Sequence, residues 1–387
     1  MSRGVNVLLA LAVLALSAAG EAQTPQDTAE TEWVVAPSPG LDAILFVGAL
    51  SGDRLQADIH AEAIAEMTAR LSPEARAALE RLDRGMREAQ GLLTGPVMAN
   101  YLSAGPTGTI AEVIATARHP ETSLWPRLER TPGWEAEEAE RVFALMPDMI
   151  LVLEGLEAAG FSDWYTARCG GPIEAAVEDM QSRLAPYDII PLQERLVGRN
   201  LEPRIEIDLM CFAKPYGISV YGQRFLAQYD YDAETQLRVA AHEIFHPPFD
   251  LEDEALFARL EALEADPWIR SIVENHDPAF GYNSFSGVVN EDSTQALDQI
   301  VSEQLGVARD PVDRWRRADG GMHMLAAALY HAMKEDGFDR RGGRYEDWLK
   351  FALDRGLLTP QEVRRRAAEI VGEDSVRHWY EIAVPEE

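Results

Sequence analysis

Residues 242–246 read His242-Glu243-Ile244-Phe245-His246, two imidazoles and a carboxylate in a spacing that suits metal-assisted chemistry. On a helix, side chains four residues apart project from one face, so both histidines reach a single ion, and imidazole is a good zinc ligand. Glu243 is rotated by roughly 100° from His242, flanking such an ion without opposing it. It can therefore handle the proton of an attacking water without joining the coordination. With 8 His and 65 Asp+Glu in 387 residues, random order yields this run roughly 0.03 times per chain, so coincidence is a poor explanation.

A catalytic zinc needs a third protein ligand, with a further position open to water. The residues directly after the motif do not offer another histidine. Phe249 and Glu252 occupy the places where a HExxHxxGxxH continuation requires glycine and histidine, and Pro247-Pro248 breaks the helical approach. Further on, Asn290-Glu291 leads into Ala296, Leu297, Ile300, Val301 and Leu305, which keep helical spacing. Glu291, Glu252, His276, Asp277 and Glu303 are the donors in reach of the sequence.

The elements that must position these groups follow from local signals. Asp232 is an N-cap, Glu234 lies in the first turn, and Pro247-Pro248 stops the element, giving a helix over about 233–246. Leu237, Ala240, Ala241 and Ile244 form its apolar stripe, with the histidines off its centre. His246 precedes proline and so stands at or just beyond the last turn. Upstream, Ile205, Ile207, Leu209 and Cys211 alternate with Glu206, Asp208 and Met210, a strand with one buried face. A turn over 213–217 and a second strand over 218–229 lead up to the helix. If that strand is a sheet edge beside the cleft, an extended peptide can add to it; an ordinary core hairpin fits the same pattern.

HExxH followed by Asn290-Glu291 resembles the gluzincin metallopeptidases, the thermolysin-like clan, over about residues 205–305. In that family the Asn-Glu pair opens onto a helix, and an Asp four residues after the Glu steadies a histidine ligand; Gln295 stands in its place here. The resemblance implies an α+β, mostly helical fold, with a zincin-like core, a small mixed or antiparallel sheet and a helical C-terminal part. It implies Zn2+ held by His242, His246 and Glu291, supported by Asn290 and Gln295, with Glu243 as general base against a peptide or protein substrate. The family's oxyanion donor is a Tyr or His after the Glu helix. His323 and Tyr330 share a face of a helical run over 321–334 that also carries His331, and Tyr282, before Glu291, is an alternative. A zincin fold used as a non-catalytic zinc-binding scaffold of the cell envelope is the rival, and the intact Glu243 argues against it.

Composition sets the surroundings. A balance of 35 basic against 65 acidic residues makes nucleic acid and anionic membranes poor partners. Arg3, an apolar run over 5–16 and small residues over 17–22 read as a signal peptide, 1–22, and place the protein in a secreted or periplasmic setting. That run is short for a bilayer span, no later one approaches 18 apolar residues, and no stable membrane span is expected after cleavage. Residues 23–40 read as a flexible lead-in, 41–200 as a mainly helical N-terminal region and 201–387 as the metallopeptidase region. Within them, 91–108 reads as a Gly/Pro-punctuated loop. Cys169 and Cys211 suit a disulfide in an oxidising compartment. Arg168-Cys169-Gly170 is also similar to the segment with which matrix metalloprotease propeptides silence their zinc, which implies a latency switch.

Overall fold

The structure, a computed structural model, describes residues 31–90, 93–131, 134–280 and 282–383. The expected signal peptide and the first part of the lead-in lie outside the described residues. Helices dominate, around one mixed sheet of four strands: β1 (Glu32–Pro37), β2 (Arg204–Met210), β3 (Gly217–Val220) and β4 (Arg224–Gln228), in the order β1-β2-β4-β3. The β1-β2 and β2-β4 pairs are parallel, and β3 runs antiparallel to β4 at the edge. The fold is thus α+β and mostly helical, with a small mixed sheet.

The lead-in expectation fails for its second half. Trp33 and Val35 are buried, and Gln181 clamps the strand, its side chain accepting from Val35 N at 3.0 Å and donating to Trp33 O at 2.7 Å. The Trp33-Val34-Val35 run supplied the β-propensity, but the surrounding Thr, Pro and acidic residues masked it. β1 joins the N-terminal helices to the sheet whose β3–β4 hairpin leads into the HExxH helix. β2 also departs from a one-faced pattern. Asp208 and Met210 are buried together with Ile205, Ile207 and Leu209 because β2 is interior, and Asp208 is neutralised by Arg224 of β4.

The helix Pro39–Leu50 follows β1 directly and buries Leu41, Ile44, Leu45, Phe46 and Val47 completely. Its Asp42 accepts from Cys211 N at 2.6 Å and Phe212 N at 2.9 Å, tying the helix to the end of β2. The 91–108 stretch is not a loop throughout but contains the helix Thr94–Leu102. Its glycine serves packing: a Cβ on Gly48 would stand 2.7 Å from the Cα of Gly95, so the two helices meet backbone to backbone.

Cys169 and Cys211 form a disulfide with a Cα–Cα distance of 6.1 Å. Both sulfurs are consumed, so the latency reading, which needs a free Cys169 thiolate, is withdrawn. The bond closes a loop of sequence separation 42, for which the chain-entropy limit is about 4 kcal/mol. The double variant Cys169→Ala/Cys211→Ala is expected to lose a stability of that order in denaturant titration and to keep its metal affinity. Loss of metal with unchanged stability would reverse that assignment.

Candidate metal centre

The helix Ala233–Glu243 begins as its sequence requires: Asp232 caps it by accepting from Thr235 N at 2.7 Å. It is fixed to the sheet where Gln236 donates to Gln228 O at 3.1 Å. At its other end Gln193 donates to the carbonyls of Ala240 and Ala241, at 3.4 and 3.2 Å, which satisfies acceptors a helix terminus leaves open. The helix stops at Glu243 rather than His246. His246 lies in the irregular turn before Pro247, since a residue ahead of proline is pushed out of helical geometry.

The second element is the helix Phe285–Leu305, capped by Ser284 and ended by Gly306 in the left-handed region. It runs through the interior, and every residue from Glu291 to Ser302 is buried. Such a helix is tolerable when most of its polar groups have partners, Ser302 Oγ being without one among the described residues. Asp292 accepts from Ala326 N at 2.9 Å, Tyr345 donates to Ser293 at 2.9 Å, and Trp315 Nε1 donates to Gln295 at 3.0 Å. Arg314 engages both Asp298 and Gln299.

These two helices bring His242, His246 and Glu291 together. The Nε2 atoms of the two histidines are 3.1 Å apart, and each lies 3.5 Å from a different oxygen of Glu291. Glu291 is buried, whereas the His242 and His246 side chains keep 19% and 21% exposure, so the group opens to solvent on its histidine side. The three residues can hold a metal ion.

Support comes from residues one layer out. His242 Nδ1 is 2.8 Å from Asp298 Oδ2, leaving Nε2 for the ion. Burial alone would raise the Asp298 carboxyl, but the Arg314 guanidinium outweighs it and holds the group below its usual value. Burial likewise opposes a charged His242, yet Glu291 and Asp298 raise it well above the ordinary imidazole range, so a metal must compete with a proton there. Thr294 Oγ1 lies 3.4 Å from His246 Nδ1. The histidine support expected of Gln295 belongs instead to Asp298, three residues further along the same helix. Gln295 orients the carboxylate, donating to Glu291 Oε1 at 2.9 Å. Asn290 reaches neither ligand histidine, and its Oδ1 has no hydrogen-bond partner among the described residues. Asp298→Asn is expected to weaken metal binding about 10- to 100-fold, as loss of a histidine-orienting carboxylate does elsewhere. Competition titration with a chromogenic chelator measures this; unchanged affinity would remove Asp298 from the site.

Glu243 is buried beside the ligands without being one of them, and burial raises its carboxyl above the ordinary value. Its approach depends on β3. A Cβ on Gly217 would meet Glu243 Oε1 at 3.2 Å and Val239 Cγ1 at 2.6 Å, so glycine lets the edge strand lie against the carboxylate. The outer edge of β3 is only partly free. Asn100 donates to Ser219 O at 3.2 Å, and Tyr221 N donates to Ser103 Oγ at 2.9 Å, so the helix Thr94–Leu102 covers the far end.

The other sequence candidates fall elsewhere. Tyr330 donates to Glu303, which also takes Lys334 at 2.8 Å, and this trio is a separate cluster. His323 is fully buried, its Nδ1 2.6 Å from Asp292 and its Nε2 2.8 Å from Asp319. It caps the helix Met324–Asp336 instead of lying inside it. Burial lowers a charged imidazole, but the two carboxylates override this and push His323 up to about 10. His331 pairs with Glu369 at 2.6 Å. Among the alternative ligands, Asp277 meets Arg54, His276 Nδ1 lies 3.0 Å from Ile272 O, and Glu252 is exposed. Comparison with family models, curated proteins and solved structures finds no significant match to this chain.

Proposed function

We propose that this chain is a zinc-dependent peptidase of gluzincin type, acting in a secreted or periplasmic setting. The observation that carries the reading is the donor group: the two histidine Nε2 atoms are 3.1 Å apart, and each lies 3.5 Å from its own oxygen of the Glu291 carboxylate. Zinc bonds of 2.0–2.2 Å in a tetrahedron put ligand atoms about 3.3–3.6 Å apart, which the two 3.5 Å His–Glu291 separations match and the 3.1 Å His–His separation falls just short of, and three such donors leave one vertex for a reactant. An octahedral ion with bonds of about 2.1 Å asks for neighbouring donors nearer 3.0 Å.

Zinc held there supplies the Lewis acid that makes water a nucleophile near neutral pH and polarises a carbonyl. Glu243 takes the proton of the attacking water and passes it to the departing amine. Its burial suits this task, because a raised carboxyl pKa makes the base stronger. The Gly217 end of β3, which borders Glu243, is the part of that edge left to an extended peptide, since Ser219 O is taken by Asn100. The disulfide fits an oxidising compartment. No helix among the described residues is long and apolar enough to cross a membrane.

A metal-binding scaffold without activity is the competing reading. The buried Glu243 counts against it, since burying a carboxylate outside the ligand set is costly without a function. An unbiased peptide library, digested by zinc-loaded protein and by chelator-treated protein, separates the two. Zinc-dependent cleavage is expected, and full zinc occupancy without cleavage would favour the scaffold.

A further inference from the structure

Gly198 ends the helix Ile190–Val197 in the left-handed region, at φ 64°. A Cβ there would stand 2.7 Å from the Arg344 Cα, so glycine lets the chain beyond this helix meet the start of the helix Tyr345–Asp354. Arg199 and Arg344, one from each segment, line the same cavity of about 340 Å³. Its apolar wall is Val197, Pro247, Pro248 and Phe249, and Pro247 directly follows the ligand histidine His246. The cavity therefore adjoins the metal centre along the chain.

The charges around the cavity are not all matched. Glu346 accepts from Arg344 at 2.9 Å, from Lys350 at 2.7 Å and from Asp250 N at 3.2 Å, so its carboxylate is occupied. Asp250 accepts from Glu252 N at 2.9 Å. Arg199 has only a neutral acceptor: it donates to Pro247 O at 2.8 Å and forms no ion pair among the described residues. Partial desolvation, and then the Arg344 charge, lower its guanidinium from the ordinary value, and Glu346 offsets them incompletely. A guanidinium presents a planar fork of N–H donors that fits a carboxylate, and none of this chain's carboxylates fills this one.

We propose that this cavity is a carboxylate subsite of the peptidase: Arg199, with Arg344 beside it, takes a carboxylate of the bound peptide, and the Pro247-Pro248-Phe249 wall takes the body of the residue that carries it. The inference rests on the peptidase reading and gives it a substrate class, peptides with a free carboxylate within a few residues of the scissile bond. The distances are compatible. A histidine that binds an ion through Nε2 sets its own Cα roughly 6–7 Å from that ion and the next Cα no more than about 10 Å away. Two or three extended residues of about 3.3–3.6 Å each cover that distance. The carboxylate belongs either to the end of the peptide or to an acidic side chain, and both offer the same pair of oxygens to the fork.

The test uses the zinc-loaded protein and one cleaved sequence in four forms, ending in a carboxylate or an amide and carrying Glu or Gln beside that end. The expected result is a kcat/KM about 10- to 100-fold higher for a carboxylate-bearing form than for its neutral partner, mostly through KM, as a charged bidentate contact supplies. Preference for acid over amide names the chain end as the source, and preference for Glu over Gln names a side chain. Arg199→Gln is expected to bring the ratio close to one. Arg199→Lys, which keeps the charge without the fork, recovers part of it and replaces the Gln variant if that one fails to fold. Because Arg199 also holds Pro247 O, zinc affinity is read on the same proteins by chelator competition and is expected to stay unchanged. A further readout needs no turnover: an N-acetylated dipeptide with a free carboxylate, titrated into chelator-treated protein by calorimetry, should bind wild type and bind Arg199→Gln more weakly by the same factor. Cleavage at equal rates in all four forms, a preference that survives Arg199→Gln, or equal dipeptide binding by the two proteins overturns the carboxylate subsite alone. A preference lost only together with zinc affinity makes Arg199 a support of His246 and overturns it too. A wild type that holds zinc and cleaves none of the peptides overturns the peptidase reading and this inference with it.

Discussion

Glu243→Gln is expected to lower kcat/KM by at least about 10³-fold while one zinc per chain stays bound, the upper part of the range for loss of a general base. The amide matches the carboxylate in shape, so the contact with Gly217 and the packing against Val239 need not change. What disappears is the capacity to accept a proton. Glu243 makes no part of the ligand group, and metal content should therefore be insensitive to the change. Steady-state kinetics and elemental analysis on the same preparation check both halves. Full activity in the variant would end the assignment of Glu243 as base, and loss of zinc would make it a ligand.

Glu291→Gln should act on the other quantity. Structural zinc sites bind with about 10–16 kcal/mol in total, so one of three protein ligands accounts for roughly 3–5 kcal/mol, on the order of 10²- to 10⁴-fold in affinity. The amide also removes the only negative charge in the ligand group and leaves two imidazoles, 3.1 Å apart, to hold a buried cation without its counter-charge. Glu303→Gln is the matched control on the same helix, since Glu303 serves Tyr330 and Lys334. It should leave metal affinity unchanged. Equal losses in the two variants would point to damage of the helix and away from ligation.

Much of the site was legible because its signals are local. Asp232, the Leu237-to-Ile244 stripe and the two prolines define a short helix that carries His242, with His246 in the turn just beyond its end. Glu291 was legible only through the Asn-Glu resemblance, because nothing in residues 247–290 says which later helix packs against the first. Asp298 was missed. It is seven residues beyond Glu291, two turns along the same face, and that spacing with an Arg314 neighbour to keep it ionised was the signal available. Gln295 drew attention instead because it occupies the family's position.

The fold was legible in class but not in membership. The alternation in β2 suggested one buried face, yet β2 is a central strand on which helices pack and residues of both its faces are buried, and Asp208 survives there only by pairing with Arg224. β1 escaped notice because a six-residue strand in a polar, proline-containing stretch carries less periodicity than the composition around it conceals. The Gly48–Gly95 contact explains the misread loop: glycine there marks close helix packing, which sequence cannot tell from a bend. His323 and Tyr330 look alike on a helical projection. Their separation arises from His323 sitting at the cap of its helix, outside the periodic part.

The central claim is a three-ligand zinc site with one position open, and zinc-edge X-ray absorption on the purified protein, with metal analysis of the same sample, tests it most directly. The expected result is one zinc per chain, two imidazole nitrogens, a carboxylate oxygen and one further light-atom donor at about 2.0–2.2 Å, with no sulfur near about 2.3 Å. Absence of stoichiometric zinc, or a shell closed by a third imidazole or by sulfur, would contradict it.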